Sequence, residues 1–176
     1  LEDQLELDDR DGALLASSPH RRWRARFARD ASTFTLEAAG EHAWRAELSL
    51  ERWGRGEDLA PAPQVSASHH EATRLEHRRS HIITEWFENK GAGIEHGFTL
   101  ASPPTQRGDE RVVLELDVSG LAPRRDERGQ HIALVDSLGA TRLIYKDLVV
   151  WDARGDILDA DLRADDDGHI EIAFDD

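Results

Sequence analysis

Cysteine and methionine are both missing from the 176 residues. Without Cys there is no disulfide framework, thiolate metal site or thiol nucleophile, so stability has to come from packing. The lack of Met extends to position 1, so a processed chain or a fragment is expected, with any export signal upstream of Leu1. Long apolar runs are missing as well, since no stretch approaches the roughly 18 apolar residues that a membrane helix requires. Net positive charge is also lacking: 22 Lys and Arg stand against 36 Asp and Glu, a balance of −14. A phosphate backbone calls for a basic face, so no nucleic-acid partner is expected, and the acidic balance favours solubility. Lysine occurs only at Lys90 and Lys146, the other basic residues being Arg, and that usage carries no functional weight.

What is present suffices for a core. The apolar fraction of 39% omits Gly, and the 13 glycines bring it close to the ~45–50% of an ordinary globular chain. A chain of this length fits one β-sandwich or barrel, or at most two very small domains, with one domain the default, and can bury a core without staples.

Period-two alternation runs through both halves, which is the signature of half-buried strands. Val112, Leu114, Leu116 and Val118 oppose Glu115, Asp117 and Ser119, and Ile170, Ile172 and Phe174 oppose Glu171 and Asp175. Upstream, Trp23, Ala25 and Phe27 oppose Arg22, Arg24 and Arg26. Residues 43–52 have helical propensity, but the alternation of Trp44, Ala46, Leu48 and Leu50 favours a strand. The continuous apolar run from Leu143 to Trp151 suits a central strand or one crossing a bulge.

Asp-x-x-Gly recurs at Asp126–Gly129, Asp136–Gly139, Asp152–Gly155 and Asp165–Gly168, between apolar-rich runs. Asp at the first turn position accepts backbone N–H bonds, and Gly at the fourth takes the left-handed conformation. The expected fold is an all-β, antiparallel β-sandwich, jelly-roll-like or meander, with Asp-x-x-Gly hairpins. Residues 1–20 are expected to be an acidic, partly ordered segment and 21–176 a single sandwich domain. Long loops are expected near 54–68 and 101–110, where Gly, Pro and Ser concentrate.

The least generic stretch is Ile82 to Leu100, which reads as a hairpin turning through Asn89-Lys90-Gly91-Ala92-Gly93. Its Glu85-Trp86-Phe87-Glu88-Asn89 and Gly93-Ile94-Glu95-His96-Gly97-Phe98-Thr99-Leu100 resemble a β-rich domain found near the N-terminus of large secreted bacterial proteins, often upstream of FG-GAP or propeller-type repeats. Supporting matches are Leu50–Gly56, Val112–Gly120 and Leu148–Asp152, so the resemblance covers most of 44–176. It departs at Phe87, Ile94 and His96, where Tyr, Leu and Gln are expected. The resemblance implies architecture, export and a place in a modular surface protein; it supplies no catalytic residue.

Glu85, Glu88 and Glu95 offer a carboxylate pair for glycoside hydrolysis, with Glu85 and Glu95 meeting across the hairpin, or else are solvated or Arg-paired strand residues. His69, His70, Glu71, His77 and His81 are the densest metal-ligand cluster, but His77 and His81 on one strand lie too far apart to chelate together. Asp165, Asp166 and Asp167 are the candidate metal residues. They fail the EF-hand spacing, because Gly168 at the sixth position puts Arg163 first and Phe174 twelfth. A looser calcium site stays open, and the turn reading explains the same residues. Trp23, Trp44 and Trp86 are expected in the core, leaving Trp53, beside a Gly-rich loop, as the candidate ligand-binding residue. Gly54-Arg55-Gly56 is no dinucleotide fingerprint, and no nucleophile elbow is present.

The sequence therefore leads to a monomeric, non-catalytic structural or recognition module of an exported bacterial protein, extracellular or at the cell surface, needing no cofactor. Its expected partners are other domains of the same polypeptide or a surface or glycan ligand, without membrane insertion. The alternatives are a carbohydrate-binding domain, calcium-assisted or not, and a glycoside-active enzyme.

Overall fold

The computed structural model describes residues 6–8, 13–18, 23–27, 33–40, 42–90, 92–104, 109–126, 131–165 and 167–176. Among them the chain forms strands and no helix. In chain order these begin with β1 (Glu6–Asp8), β2 (Ala13–Ser18), β3 (Trp23–Phe27), β4 (Thr33–Ala38), β5 (Trp44–Arg55) and β6 (Asp58–Pro61). Next come β7 (Ala67–Glu71), β8 (Arg74–Arg78), β9 (Ile83–Asn89) and β10 (Ile94–Leu100). The series closes with β11 (Val112–Ser119), β12 (Ala122–Arg125), β13 (His131–Val135), β14 (Thr141–Lys146), β15 (Ala160–Ala164) and β16 (His169–Phe174). The fold is all-β with antiparallel sheets, the outcome that period-two alternation broken by turn residues leads to.

Contacts cluster into two compact units, Leu1–Glu47 with Pro63–Ser102 and Leu48–Ala62 with Pro103–Asp176. Strand β5 begins in the first and ends in the second.

In the first unit, β1 to β4 pair in sequence order and lead into β5, and β10-β9-β8-β7 form a four-stranded sheet. Leu14, Phe27 and Phe34 from the first set, and Leu75, Ile83 and Phe87 from the second, are buried. The two sets meet through their rings: Phe87 lies 4.9 Å from Phe27 and 4.7 Å from Phe34, centroid to centroid. Burying a Phe contributes about 1.5–3 kcal/mol. Residues 13–18, expected within a partly ordered segment at 1–20, form β2, because Ala13, Leu14 and Ala16 give it a buried face against β3. Residues 1–5, 9–12, 19 and 20 lie outside the described ones.

The hairpin at 82–100 is present as β9 and β10, Ile94 opposite Asn89 and Leu100 opposite Ile83. Its inward residues are Ile83, Glu85, Phe87 and Asn89. Trp86, expected in the core, is half-buried on the other face instead, because it has the opposite parity. It sits across from Gly97, where a Cβ would run into the indole, and the Arg74 guanidinium lies 4.1 Å from its ring centroid. Trp23 and Trp44 are also only half-buried, each at the first residue of its strand.

In the second unit, β6, the later part of β5, β11, β16 and β15 lie side by side, and β12-β13-β14 form a three-stranded sheet. Leu114, Leu116 and Val118 are buried while Glu115 and Asp117 are not, the alternation expected of β11. Across from them, Ile172 faces Leu114 and Ile170 faces Leu116. The stretch 54–68, expected as a loop, contains the end of β5, all of β6 and the start of β7. Gly56, with φ 51°, turns β5 back into β6, and Pro61 is accommodated as the last residue of that short strand. The run from Leu143 to Trp151 is not a central strand: β14 is the terminal strand of its sheet and stops at Lys146, before Asp147 at φ 62°.

Asp136 organises the turn from β13 to β14. Its Oδ1 accepts the N–H groups of Leu138 at 2.9 Å and Ala140 at 3.0 Å, and its carbonyl accepts that of Gly139, which has φ 80°. Asp165 accepts the N–H groups of Asp167 and His169 in the same way. Residues 127–130, which include most of the Asp126–Gly129 tetrapeptide, lie outside the described ones.

Because Phe87 contacts both inner faces of the first unit, Phe87→Ala is expected to cost about 3–5 kcal/mol of stability. A urea titration followed by far-ultraviolet dichroism checks this, the midpoint falling without a change of slope.

Candidate functional site

The most unusual chemistry lies in the first unit. Arg79 follows β8, Glu85 points inward from β9, and His96 comes from β10. Arg79 donates from Nε to Glu85 Oε2 at 2.8 Å, and its Nη2 approaches the same oxygen at 2.7 Å. Arg79 Nη1 also donates to the Pro63 carbonyl at 3.1 Å. The other carboxylate oxygen, Oε1, lies 2.8 Å from His96 Nε2. The His96 ring stacks on Phe87 at 4.6 Å and 11°. Side-chain exposure is 0% for Arg79, 1% for Glu85 and 4% for His96, so water reaches none of them to any useful extent.

Burial by itself would raise the Glu85 carboxyl, but the hydrogen bond and charge of His96, followed by those of Arg79, hold it below its ordinary value of 4.5. The site is thus a carboxylate with both oxygens occupied, suited to holding strands together. His77 on β8 is the neighbour left out of this arrangement. Burial, with Arg79 and His96 adding to it and Glu85 opposing, lowers its protonation below the ordinary 6.5, so the imidazole is neutral at neutral pH.

The hairpin register separates the expected carboxylate pair. Glu95 faces Glu88, whereas Glu85 faces Phe98. Glu95 shares the outer face of Glu88, whereas Glu85 is on the inner face, so one is exposed and the other buried, and they do not meet across a sugar cleft. Lys90 bridges the outer pair, 2.8 Å from Glu88 and 3.4 Å from Glu95.

The histidine cluster assembles only in part: His69, His70 and His77 line one cavity, but they form no metal-competent group of three. His69, His70, Glu71 and His81 are exposed while His77 is buried. Among the described residues the one metal-competent group of three lies elsewhere, in the second unit: Glu51, Asp117 and His169 place one donor atom each within 4.8 Å of one another. Asp117 faces His169 across β11 and β16, and β5 is the next strand, so the group is a row across three strands. His169 Nδ1 is 2.7 Å from Asp165 Oδ2. Burial would lower the His169 protonation, but the hydrogen bond and charge of Asp165, with Glu115 and Asp117 adding, raise it. The row is fully explained as solvated outer-face residues. No sequence signal marked it, because strand order and register alone bring positions 51, 117 and 169 together.

Asp165 spends both carboxylate oxygens on its own turn, Oδ1 on backbone N–H groups and Oδ2 on His169. Asp167 is exposed, and Asp166 lies outside the described residues. Trp53 is half-buried on β5 opposite Ala60. The exposed indole is that of Trp151.

Glu85→Gln leaves a buried guanidinium without its counter-charge and is expected to cost about 3–5 kcal/mol at neutral pH. Since the folded carboxyl titrates below the unfolded one, its contribution is complete above pH 4.5 and is lost as pH falls through the lower folded value. Stability measured against pH should therefore drop less for the variant than for the parent on the acid side. Comparison of the chain with protein-family models, curated proteins and solved structures finds no match.

Proposed function

We propose that the chain is a non-catalytic recognition module of an exported bacterial protein, working outside the cell or at its surface. The observation that carries this reading is where large apolar side chains meet water. Leu138, Ile144, Val149, Trp151 and Ile157 are exposed, and all fall within 138–157 of the second unit. Trp151 and Ile157, 57% and 79% exposed, are bridged to one another. The adjacent Trp151 and Ile157 are the strongest part of this signal, since exposed apolar side chains brought together mark an interaction surface whose covering releases about 25 cal/mol per Å².

The occupant that fits is an extended segment from another domain of the same polypeptide. Ile144 lies on β14, the terminal strand of its sheet, and a terminal strand can accept a further strand through backbone hydrogen bonds while side-chain pockets select its residues. The resemblance to domains of modular secreted proteins supports the same occupant. The non-catalytic part is supported by Glu85, whose two oxygens are both committed to internal partners. A glycan ligand is the second reading, favoured by the exposed Trp151 ring, which offers a stacking face.

The double variant Trp151→Ser, Ile157→Ser tests the proposal. Its stability should stay within about 0.5 kcal/mol of the parent, as for surface substitutions generally. Calorimetric affinity for the adjoining domain, added as a separate chain, should fall at least about tenfold, equivalent to ~1.4 kcal/mol. A glycan array with and without calcium separates the alternatives: a signal lost on Trp151→Ser selects the carbohydrate reading. Glycoside turnover abolished by Glu85→Gln at a pH where that variant is folded overturns the non-catalytic one.

A further inference from the structure

His77 is 2% exposed, and its Nε2 has no hydrogen-bond partner. A neutral imidazole carries one N–H, whereas the protonated ring carries two and needs an acceptor at both nitrogens. The surroundings give Nε2 none. Opposite His77 on β9 is Glu85, whose Oε2 accepts from Arg79 Nε and whose Oε1 lies against His96 Nε2 of β10. Phe87 packs edge-on against the ring, 5.8 Å away at 70°. On the other flank β7 sets Ser68 opposite His77, with His69, His70 and Glu71 exposed along that strand. Leu14 of β2 and Phe27 of β3 share a cavity with the ring and are apolar, while Arg24 and Arg26 have the opposite parity to Phe27. On β8 itself Arg74, Glu76 and Arg78 alternate with the inward Leu75 and His77. The charges that act on the ring are therefore those of Glu85, Arg79 and His96.

A proton taken up in this position creates a buried cation beside the Arg79 guanidinium, with one N–H unserved, a state far less favourable than the same cation in water. Moving the ring to water removes that penalty, and the strand order shows which part can move. β7 is the terminal strand of its sheet and all its residues are exposed, so it holds no core in place. β8 buries only Leu75 and His77. The turn after β8 is firmly tied, since the N–H groups of Arg79 and Ser80 donate to the Ile83 carbonyl and Ser80 Oγ accepts those of Ile82 and Ile83. It supplies the hinge. We propose that His77 is an acid-sensitive latch of the first unit: when its ring takes up a proton from solvent, the β7–β8 hairpin parts from β9 and from Leu14 and Phe27, carrying the imidazolium to water.

The pH window follows from the same surroundings. Burial lowers His77 protonation below the ordinary 6.5, Glu85 opposing and Arg79 and His96 adding to it. The closed hairpin therefore keeps its full stability above pH 6.5 and loses it as pH falls from there to the lower value of the closed form. Glu85 titrates only below 4.5, so the interval between 6.5 and 4.5 isolates His77 from that carboxylate. Whole-chain stability is a poor readout, because His169 in the second unit is raised above 6.5 and its contribution runs the opposite way.

Hydrogen exchange of individual amides in the full chain, corrected for the intrinsic pH dependence of exchange, reads the latch locally. Protection of the β8 amides should fall about tenfold for each pH unit below 6.5, the slope of one proton, while that of β11 in the second unit does not fall. In His77→Phe and His77→Gln, which cannot titrate, the β8 protection should stay level over the same interval. A pH-dependent loss that persists in either variant, once folded, assigns the sensor to another group and overturns the proposal. If neither variant folds, the side-chain ¹⁵N resonances of His77 in the parent decide. The ring should be neutral wherever the hairpin is closed, and its protonated signal should grow only as β8 protection is lost. A protonated His77 with β8 protection intact sinks the latch.

Discussion

Arg79 and Glu85 meet in the interior of the first unit, their side chains 0% and 1% exposed, so each depends on the other for the solvation it lost. Removing two charges from water costs several kcal/mol per ion, and attraction offsets that only with close geometry and with the remaining lone pairs satisfied. Both conditions are met here. The guanidinium lies 2.7 Å from one carboxylate oxygen, and His96 occupies the other. Because the partners come from the end of β8, from β9 and from β10, a one-residue slip of any of these strands would leave a buried charge alone. The pair therefore fixes the register of the hairpin, and with it the stack of His96 on Phe87 and the meeting of Phe87 with Phe27 and Phe34. It also leaves the buried His77 Nε2 with no carboxylate oxygen to bind.

The second unit handles charge at its surface instead. Its Asp residues are largely occupied by turns and by Arg, so much of the acidic excess is structural. The backbone N–H of Ala140, with further help from Arg142 and Leu138, keeps Asp136 ionised below its ordinary range. Arg111 gathers three carboxylates, lying 2.7 Å from Asp161, 3.3 Å from Asp159 and 3.0 Å from Asp175. Arg55 pairs with Asp176 and donates to the Glu110 carbonyl at 2.8 Å, which ties down the C-terminal end. With charge committed in this way, the apolar side chains left at 138–157 stand out as the part of the surface with no internal task.

Much of the fold was legible because strand alternation is a local signal. The inward faces of β11 and β16 could be read directly from Leu114, Leu116, Ile170 and Ile172, and the 82–100 hairpin from its turn residues. Trp86 shows where the reading failed. Hydrophobicity suggested that it was buried, yet parity with Ile83 and Phe87 belongs to Glu85, and a carboxylate between two apolar residues is read as outward unless its buried partners are known. Arg79 and His96 are six and eleven positions away from Glu85, and nothing in their spacing announces a shared site. The 54–68 stretch failed for another reason: its Gly and Pro mark a tight hairpin and the end of an edge strand as readily as they mark a loop.

The sequence by itself determined the strand-forming class and which face of most strands is apolar, since both depend on residues within a few positions of one another. Only the tertiary structure decided that Glu85 is buried, that Glu95 never meets it, and that Glu51, Asp117 and His169 share a row. It also decided that His77 is buried with an unsatisfied Nε2. Those outcomes depend on strand order and register, which balance the desolvation of each polar group against partners distant in the chain, and that balance exists only once the sheets have paired.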